Sequence, residues 1–302
     1  MNGASIGAVI IGRNEGERLR TCLASIIGQV EMVVYVDSGS TDGSPELARA
    51  MGAELVALDL DRPFTAARAR NAGLHHLLDR KPDLTWVQFV DGDCELDPMW
   101  LGTALAFLEK DERAAVACGR RRERFPEASA YNRLCDMEWD TPVGQAASCG
   151  GDALMRVAAI RQVSGYDESL IAGEEPDLCF RMRSHGWTIH RLAAEMTLHD
   201  AAMTRASQWW LRSKRSGYAA AEASARRGDA EPHLRRRVIS NLLWSLPVAW
   251  PFWPLLWLKI RRQRGALYAS HIVLGKVPHL LGQAAYWMDR ARRRRRAIIE
   301  YK

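Results

Sequence analysis

At 302 residues, with 47% apolar and 26% charged side chains, the chain can bury a full core and is too apolar for wholesale disorder. Its six cysteines (22, 94, 118, 135, 149 and 179) contain no C-x-x-C pair, which argues against a thiolate zinc site, and an N-terminus without the basic segment of a secretory signal predicts a reducing cytoplasm. The net charge of +6 divides unevenly: residues 1–204 carry −10, residues 205–302 carry +16, and seven of the eleven tryptophans follow residue 208, so an acidic part suited to a metal-bound substrate precedes a basic part suited to an anionic surface.

In chain order, the apolar run at 6–11 predicts a central parallel strand, ended by Arg13-Asn14-Glu15-Gly16. Leu19, Cys22, Leu23, Ile26 and Ile27 follow at helical spacing. Residues 32–36 predict a second strand, whose end carries Asp37-Ser38-Gly39-Ser40-Thr41-Asp42-Gly43, with Ser40, Thr41 or Asp42 available to cap the next helix. A third strand is predicted at 53–58, a helix over 65–78, and a fourth strand at 85–90 that delivers Asp91-Gly92-Asp93 at its C-terminal end. Pro98 then opens a helix at its favoured first position. Further on, 114–118 predicts a strand, 128–139 a helix, 148–155 a strand entered through Gly150-Gly151, 174–185 a helix, and 187–192 and 196–199 two late strands. Strands alternating with helices predict a doubly wound, right-handed parallel α/β sheet.

In such a sheet the loops after parallel strands open on one edge, where ligands bind. Asn14-Glu15, Asp37 and the Asp91/Asp93 pair all occupy that position. Two carboxylates flanking one glycine repel each other unless a hard divalent cation and a phosphate-bearing substrate lie between them. A dinucleotide fold would need G-x-G-x-x-G after the first strand; Gly12-Arg13-Asn14-Glu15-Gly16 lacks it, and a P-loop is absent as well.

These segments, with Ala69-Arg70-Asn71-Ala72-Gly73, Gly150-Gly151-Asp152-Ala153-Leu154 and Gly173-Glu174-Glu175-Pro176-Asp177-Leu178, make residues 5–200 resemble glycosyltransferase family 2, the inverting nucleotide-sugar transferases of the GT-A fold. The resemblance implies a Rossmann-like, mostly parallel sheet over 1–204, a UDP- or GDP-sugar donor, and Mg²⁺ or Mn²⁺. It places Glu15 and Asp37 at the base and ribose, with Asn14 also among the substrate-binding residues and Ser38 where many members have a second Asp. Asp91 faces the ribose and metal, and Asp93 ligates the cation. Glu175 matches the acceptor-activating base, with Asp177 as the other candidate. Similar chains act in lipopolysaccharide-core and exopolysaccharide assembly. On chemical grounds, Arg68 or Arg70 could add a cation near the diphosphate, Gly151 and Asp152 would line the donor sugar, and His199 is a candidate third metal ligand.

Residues 238–258 contain no charged side chain and are about as long as a bilayer-spanning helix. Pro247, Pro251 and Pro254 interrupt helical hydrogen bonding, and both flanks are basic, so the segment is expected to enter the cytoplasmic membrane face as a hairpin or in plane. An amphipathic stretch at 266–288 and a basic cluster at Arg290 and 292–296 follow. Region 205–302 is therefore expected to be a helical, membrane-associating region. It would present the enzyme, peripheral or re-entrant at the inner membrane, to a lipid-linked or glycan acceptor. No nucleic-acid reading module accompanies the arginines. The competing readings are a nucleotidyltransferase, which would need a basic N-terminal loop, and a non-catalytic scaffold, which the acids at 91, 93 and 175 oppose.

Overall fold

The computed structural model describes residues 5–293, which divide into two units. The first comprises residues up to 124 with 139–170 and 174–201; the second comprises 125–138, 171–173 and everything from 202. Two short stretches before residue 204 thus group with the second unit.

The first unit is built on continuous apolar strands. β1 (Ile6–Gly12), β2 (Met32–Asp37) and β4 (Trp86–Asp91) bury nearly every side chain, as strands covered on both faces must. β1 pairs in parallel with both β2 and β4, and β3 (Glu54–Ala57) extends the sheet beyond β2. The register sets Gly12 beside Asp37 and Ile11 beside Asp91, so the polar loops after these strands leave from one edge. Helices α1 (Glu17–Ile26), α2 (Ser44–Ala50) and α3 (Ala66–Arg80) make the crossovers. Thr65 caps α3 by accepting a hydrogen bond from the Arg68 amide. No side chain caps α2: Gly43, left-handed at φ 80°, holds that position, and Asp42 accepts from Ser44 instead. Pro98 lies before α4 (Trp100–Leu108), not in it, because Asp97 accepts the Met99 amide and forms its own turn first.

Beyond β4 the sheet departs from the parallel expectation. The full order is β3-β2-β1-β4-β8 (Ala153–Arg156)-β6 (Ala114–Glu123)-β9 (Thr188–His199)-β5 (Cys94–Leu96), with β7 (Gly144–Gln145) on β9. β8 runs antiparallel to both β4 and β6, while β6 and β9 are parallel. β5 pairs antiparallel with the end of β9, which is one strand where the sequence suggested two. Reversal has a geometric consequence. Phe89 faces Ala153, so the segment entering β8, Gly150-Gly151-Asp152, lies at the C-terminal end of β4. Two more helices, α6 (Val157–Gln162) and α7 (Glu174–Ser184), follow β8, and α5 (Ala130–Trp139) precedes it.

In the second unit, α8 (Ala206–Arg227), α9 (Pro232–Ser245), α10 (Trp253–Leu274) and α11 (Lys276–Ala291) form a bundle. α8 and α11 approach so closely that a Cβ on Gly282 would fall 1.9 Å from the Lys214 carbonyl oxygen. Tyr218 and Tyr286 meet edge-to-face with centroids 5.4 Å apart, over Ile171, Ala221 and Ala285. The proline-rich stretch becomes a 3₁₀ segment, Pro247–Phe252, and Gly265 (φ 83°) kinks α10. Among the described residues no helix is long and apolar enough to cross a membrane. Of the C-terminal basic cluster, residues 294–296 lie outside the described residues.

Candidate active site

The first loop is fastened to the second through Asn14, held at φ 56°. Its amide donates to Ser40 Oγ at 2.8 Å and its Oδ1 accepts from the Thr41 amide at 2.7 Å. Asp37 is buried, and its Oδ2 accepts from the amides of Gly39 (3.0 Å) and Ser40 (2.9 Å), shaping the loop that it begins. Glu15 pairs with Arg18 at 2.9 Å and packs beside Gly92.

Asp91 is the hub of an ionic chain. Arg70, from α3, donates to its Oδ1 at 2.8 Å and also to Glu174 Oε1 at 2.7 Å. Arg121, from β6, reaches Asp91 Oδ2 at 3.0 Å and Asp152 Oδ2 at 3.4 Å, with its guanidinium over the Trp139 ring. Asp152 closes the chain by accepting from the Asp91 amide and the Thr197 hydroxyl. Burial opposes ionisation of Asp91, but Arg70 and Arg121 outweigh it and hold the carboxyl well below its usual range. Gly151 fits here for want of a side chain: a Cβ would sit 2.7 Å from Asp91 Oδ2. Arg121 is a residue the sequence reading missed. Its only signal was a run of arginines on a strand. Of the two arginines on α3, Arg68 turns away, donating to the carbonyls of Asp59, Arg62 and Pro63, so it is a loop anchor and not a diphosphate ligand.

Asp93 occupies a separate position. Its Oδ1 lies 3.3 Å from His199 Nε2, and buried Cys94 adds a thiol 3.6 Å away. Burial and the Arg121 charge push the His199 imidazolium down, which favours the neutral ring. Its Nδ1 lies 3.6 Å from Glu123 Oε2, and the ring packs edge-on to Trp139. A carboxylate behind an imidazole fixes the ring's orientation, the arrangement typical of metal-ligating histidines. Glu123 was also missed, since only the β6–β9 pairing, which aligns Glu123 with His199, brings it there. Asp93 and His199 satisfy the fit for a hard cation: adjacent donors on an octahedral Mg²⁺ or Mn²⁺ lie about 3 Å apart. Asp91, by contrast, has an arginine on each oxygen.

Glu175, in the first turn of α7, is buried against the loop before β8. Its Oε1 accepts from the Cys149 amide at 2.6 Å and from the Cys149 and Cys179 thiols at 3.1 and 3.0 Å. Burial raises its carboxyl above the usual range, with those donors acting the other way. Asp177 is bound to Arg181 at 2.8 Å, one helical turn on. Glu175 therefore connects through Cys149-Gly150-Gly151 to Asp91, and Asp91, Asp93, Asp152, Glu174, Glu175 and His199 cluster at one end of the sheet.

Residues 8–147 match the family model described as Glycosyl transferase family 2. That match covers just under half of the chain. Among characterised proteins it is similar to succinoglycan biosynthesis protein ExoA of Rhizobium meliloti, at 26% identity over 245 residues, 77% of this chain and 69% of that one. Among solved structures it resembles the mannosyltransferase PcManGT of Pyrobaculum calidifontis, solved in complex with GDP-Man and Mn²⁺, with a TM-score of 0.65 and 16% identity over 94% of this chain and 87% of the other. It also resembles a 1–349 fragment of S. aureus TarS, with a TM-score of 0.54 and 14% identity over 94% and 91%. Both structures share the fold, and the match over residues 8–147 supports a glycosyltransferase over a nucleotidyltransferase or a scaffold.

Proposed function

We propose that the enzyme transfers a sugar, with inversion, from a UDP- or GDP-sugar to a lipid-linked or glycan acceptor. The observation carrying this reading is the gathering of Asp93, His199, the Asp91 hub and Glu175 at one sheet edge. In this reading Asn14, Glu15 and Asp37 shape the wall for base and ribose, and Arg70 and Arg121 hold Asp91 ionised and rigid beside the diphosphate. Asp93 and His199 would hold Mg²⁺ or Mn²⁺, oriented by Glu123. When bound, the cation takes up negative charge on the departing nucleoside diphosphate. Glu175 accepts the proton of the acceptor hydroxyl as that oxygen bonds to the anomeric carbon and the bond to the donor phosphate breaks. The cysteines of residues 149 and 179 hold Glu175 in place.

For the second unit we propose docking, peripheral or re-entrant, on the cytoplasmic face of the inner membrane. Ile239, Leu242, Leu243, Leu246, Val248, Trp250, Phe252, Leu255 and Leu258 are all exposed, Val248 at 74% and Leu255 at 64%. Apolar side chains gathered in one stretch at that exposure favour a lipid or protein contact, and tryptophan suits headgroup depth. Arginines at 235–237 and at 261, 262 and 264 flank the stretch and suit anionic lipid.

A panel of UDP- and GDP-sugars, assayed for Mn²⁺-dependent turnover with wild type and Asp93→Ala, tests the first proposal. Turnover by wild type that survives chelation, or that Asp93→Ala leaves intact, would refute the assignment. For docking, the triple change Trp250→Ser, Phe252→Ser, Leu255→Ser is expected to abolish sedimentation with anionic vesicles; retained sedimentation would count against this surface.

A further inference from the structure

The helical bundle contains a cavity of about 440 Å³ lined by residues from α8, α9, α10, α11 and the end of α5. Its charges do not balance. Glu138 is its carboxylate, and it is already committed: Arg212 forms an ion pair with it, and His271 Nε2 lies 2.9 Å from its Oε1. His271 Nδ1 in turn accepts from Trp209 Nε1 at 2.8 Å, so that ring is fully engaged. Two further cations line the same space, Arg237 and Lys276, and among the described residues neither has a carboxylate within ion-pair distance. Lys276 is tied only to neutral oxygens, Asn241 Oδ1 at 3.1 Å and Ser240 Oγ at 3.3 Å. Burial and the nearby Arg237 both push its ammonium down. Asn241 is 4% exposed, and among the described residues its Nδ2 has no hydrogen-bond partner. A buried amide donor left unsatisfied destabilises the fold, and two cations side by side repel. One bound anion relieves both.

We propose that this cavity is an anion site that takes the phosphate head of a lipid, recognised by Arg237, Lys276 and the Asn241 amide. Two arguments favour a lipid as the source of the phosphate. The helix that supplies Arg237 and Asn241 also exposes Ile239, Leu242 and Leu243, with Leu246 exposed just past its end, so an acyl chain leaving the cavity meets an apolar surface. The volume also exceeds what a bare phosphate needs and falls in the range of small-molecule sites, about 300–1,000 Å³. The choice of a lipid source rests on the membrane-docking reading above; the anion site itself does not.

The test uses the full-length protein without divalent cations, inorganic phosphate as the soluble probe, and phosphatidylcholine vesicles with or without phosphatidic acid. Inorganic phosphate is expected to raise the melting temperature of wild type, as a ligand of the native state must. Phosphatidic acid is expected to recruit the protein to vesicles, and phosphate to compete. Arg237→Gln and Lys276→Gln should each weaken both effects by about tenfold or more, the cost of one charge-assisted contact. Arg236→Gln, the same charge loss on the next residue, which does not line the cavity, should weaken the phosphate stabilisation by less than about twofold, as surface charges do. Arg237 is on the outer part of its helix, so its variant tests the site even if Lys276→Gln unfolds. Equal losses in Arg236→Gln and Arg237→Gln would overturn the site in favour of a diffuse basic face, as would phosphate with no effect on wild type. Phosphate stabilisation lost in Arg237→Gln, without preference for phosphatidic acid, would keep the anion site and overturn its lipid occupant. Sugar-nucleotide turnover by wild type, measured separately, reports on the transferase reading and is independent of these outcomes.

Discussion

The two units handle charge in opposite ways. In the first, the arginines at the sheet edge are matched by carboxylates: Arg70 bridges Asp91 and Glu174, and Arg121 bridges Asp91 and Asp152. In the second, one carboxylate is shared by Arg212 and His271, and Arg237 and Lys276 stand beside it without one. A complete network makes a rigid frame on which a few residues, Asp93, His199 and Glu175, can be held for chemistry. An incomplete one marks a place where charge is to be supplied from outside. The contrast teaches that charge counts alone, −10 over residues 1–204 and +16 over 205–302, give only the sign of a suitable partner, while the pairing pattern points to where one would sit.

That contrast can be broken, and the largest effects are expected in the first unit. Asp93→Ala should lower metal-dependent donor turnover by about a thousandfold or more, since cation stabilisation of the leaving group contributes several kcal/mol; Mn²⁺ titration of the turnover rate checks it. Glu175→Gln should lower transfer by roughly 10²–10⁴-fold while leaving donor affinity intact, a split that separate binding and rate measurements resolve. Because burial raises the Glu175 carboxyl and a base must be deprotonated, transfer should increase with pH through a midpoint above the ordinary 4.5. A pH-independent rate across that range would contradict the role.

Stability tests the frame itself. Arg121→Leu leaves buried Asp152 without a cation and Asp91 with Arg70 alone, and removal of one partner from a buried pair costs about 3–5 kcal/mol. The denaturant midpoint should fall accordingly, whereas a surface arginine such as Arg20 should cost little when truncated. The smallest effect is expected in the second unit. Burial opposes ionisation of Glu138, yet Arg212 and His271 push its carboxyl down to about 2 from an ordinary 4.5. A depressed carboxyl stabilises the fold above its unfolded value, so this contribution is present above about pH 4.5 and is lost as the pH falls toward 2. Glu138→Gln should flatten that part of the stability profile.

Much of the first unit was legible in the chain. The apolar runs of β1, β2 and β4 declare buried parallel strands, and a parallel sheet sends its strand-end loops to one edge, so Glu15, Asp37, Asp91 and Asp93 could be grouped in advance. Three things were not legible. The direction of β8 depends on which neighbour it pairs with, and a four-residue apolar strand carries no mark of direction. The roles of Arg68 and Arg70 differ although they lie two residues apart, because a helix sends such positions to different faces. Arg121 and Glu123 join the site only through the pairing of β6 with β8 and β9.

The sequence by itself determined the sheet-forming strands, the acidic loops that end them, the family they resemble, and the division of charge between the halves. Those features are local, written in periodicity and residue type over a few positions. Only the tertiary structure decided which carboxylates are neutralised by arginine and which face His199, and that the basic helices enclose a cavity. These depend on contacts between residues from 20 to more than 100 positions apart, such as Arg70 with Asp91 and with Glu174. Local pattern does not encode such contacts, because they follow from how whole elements pack.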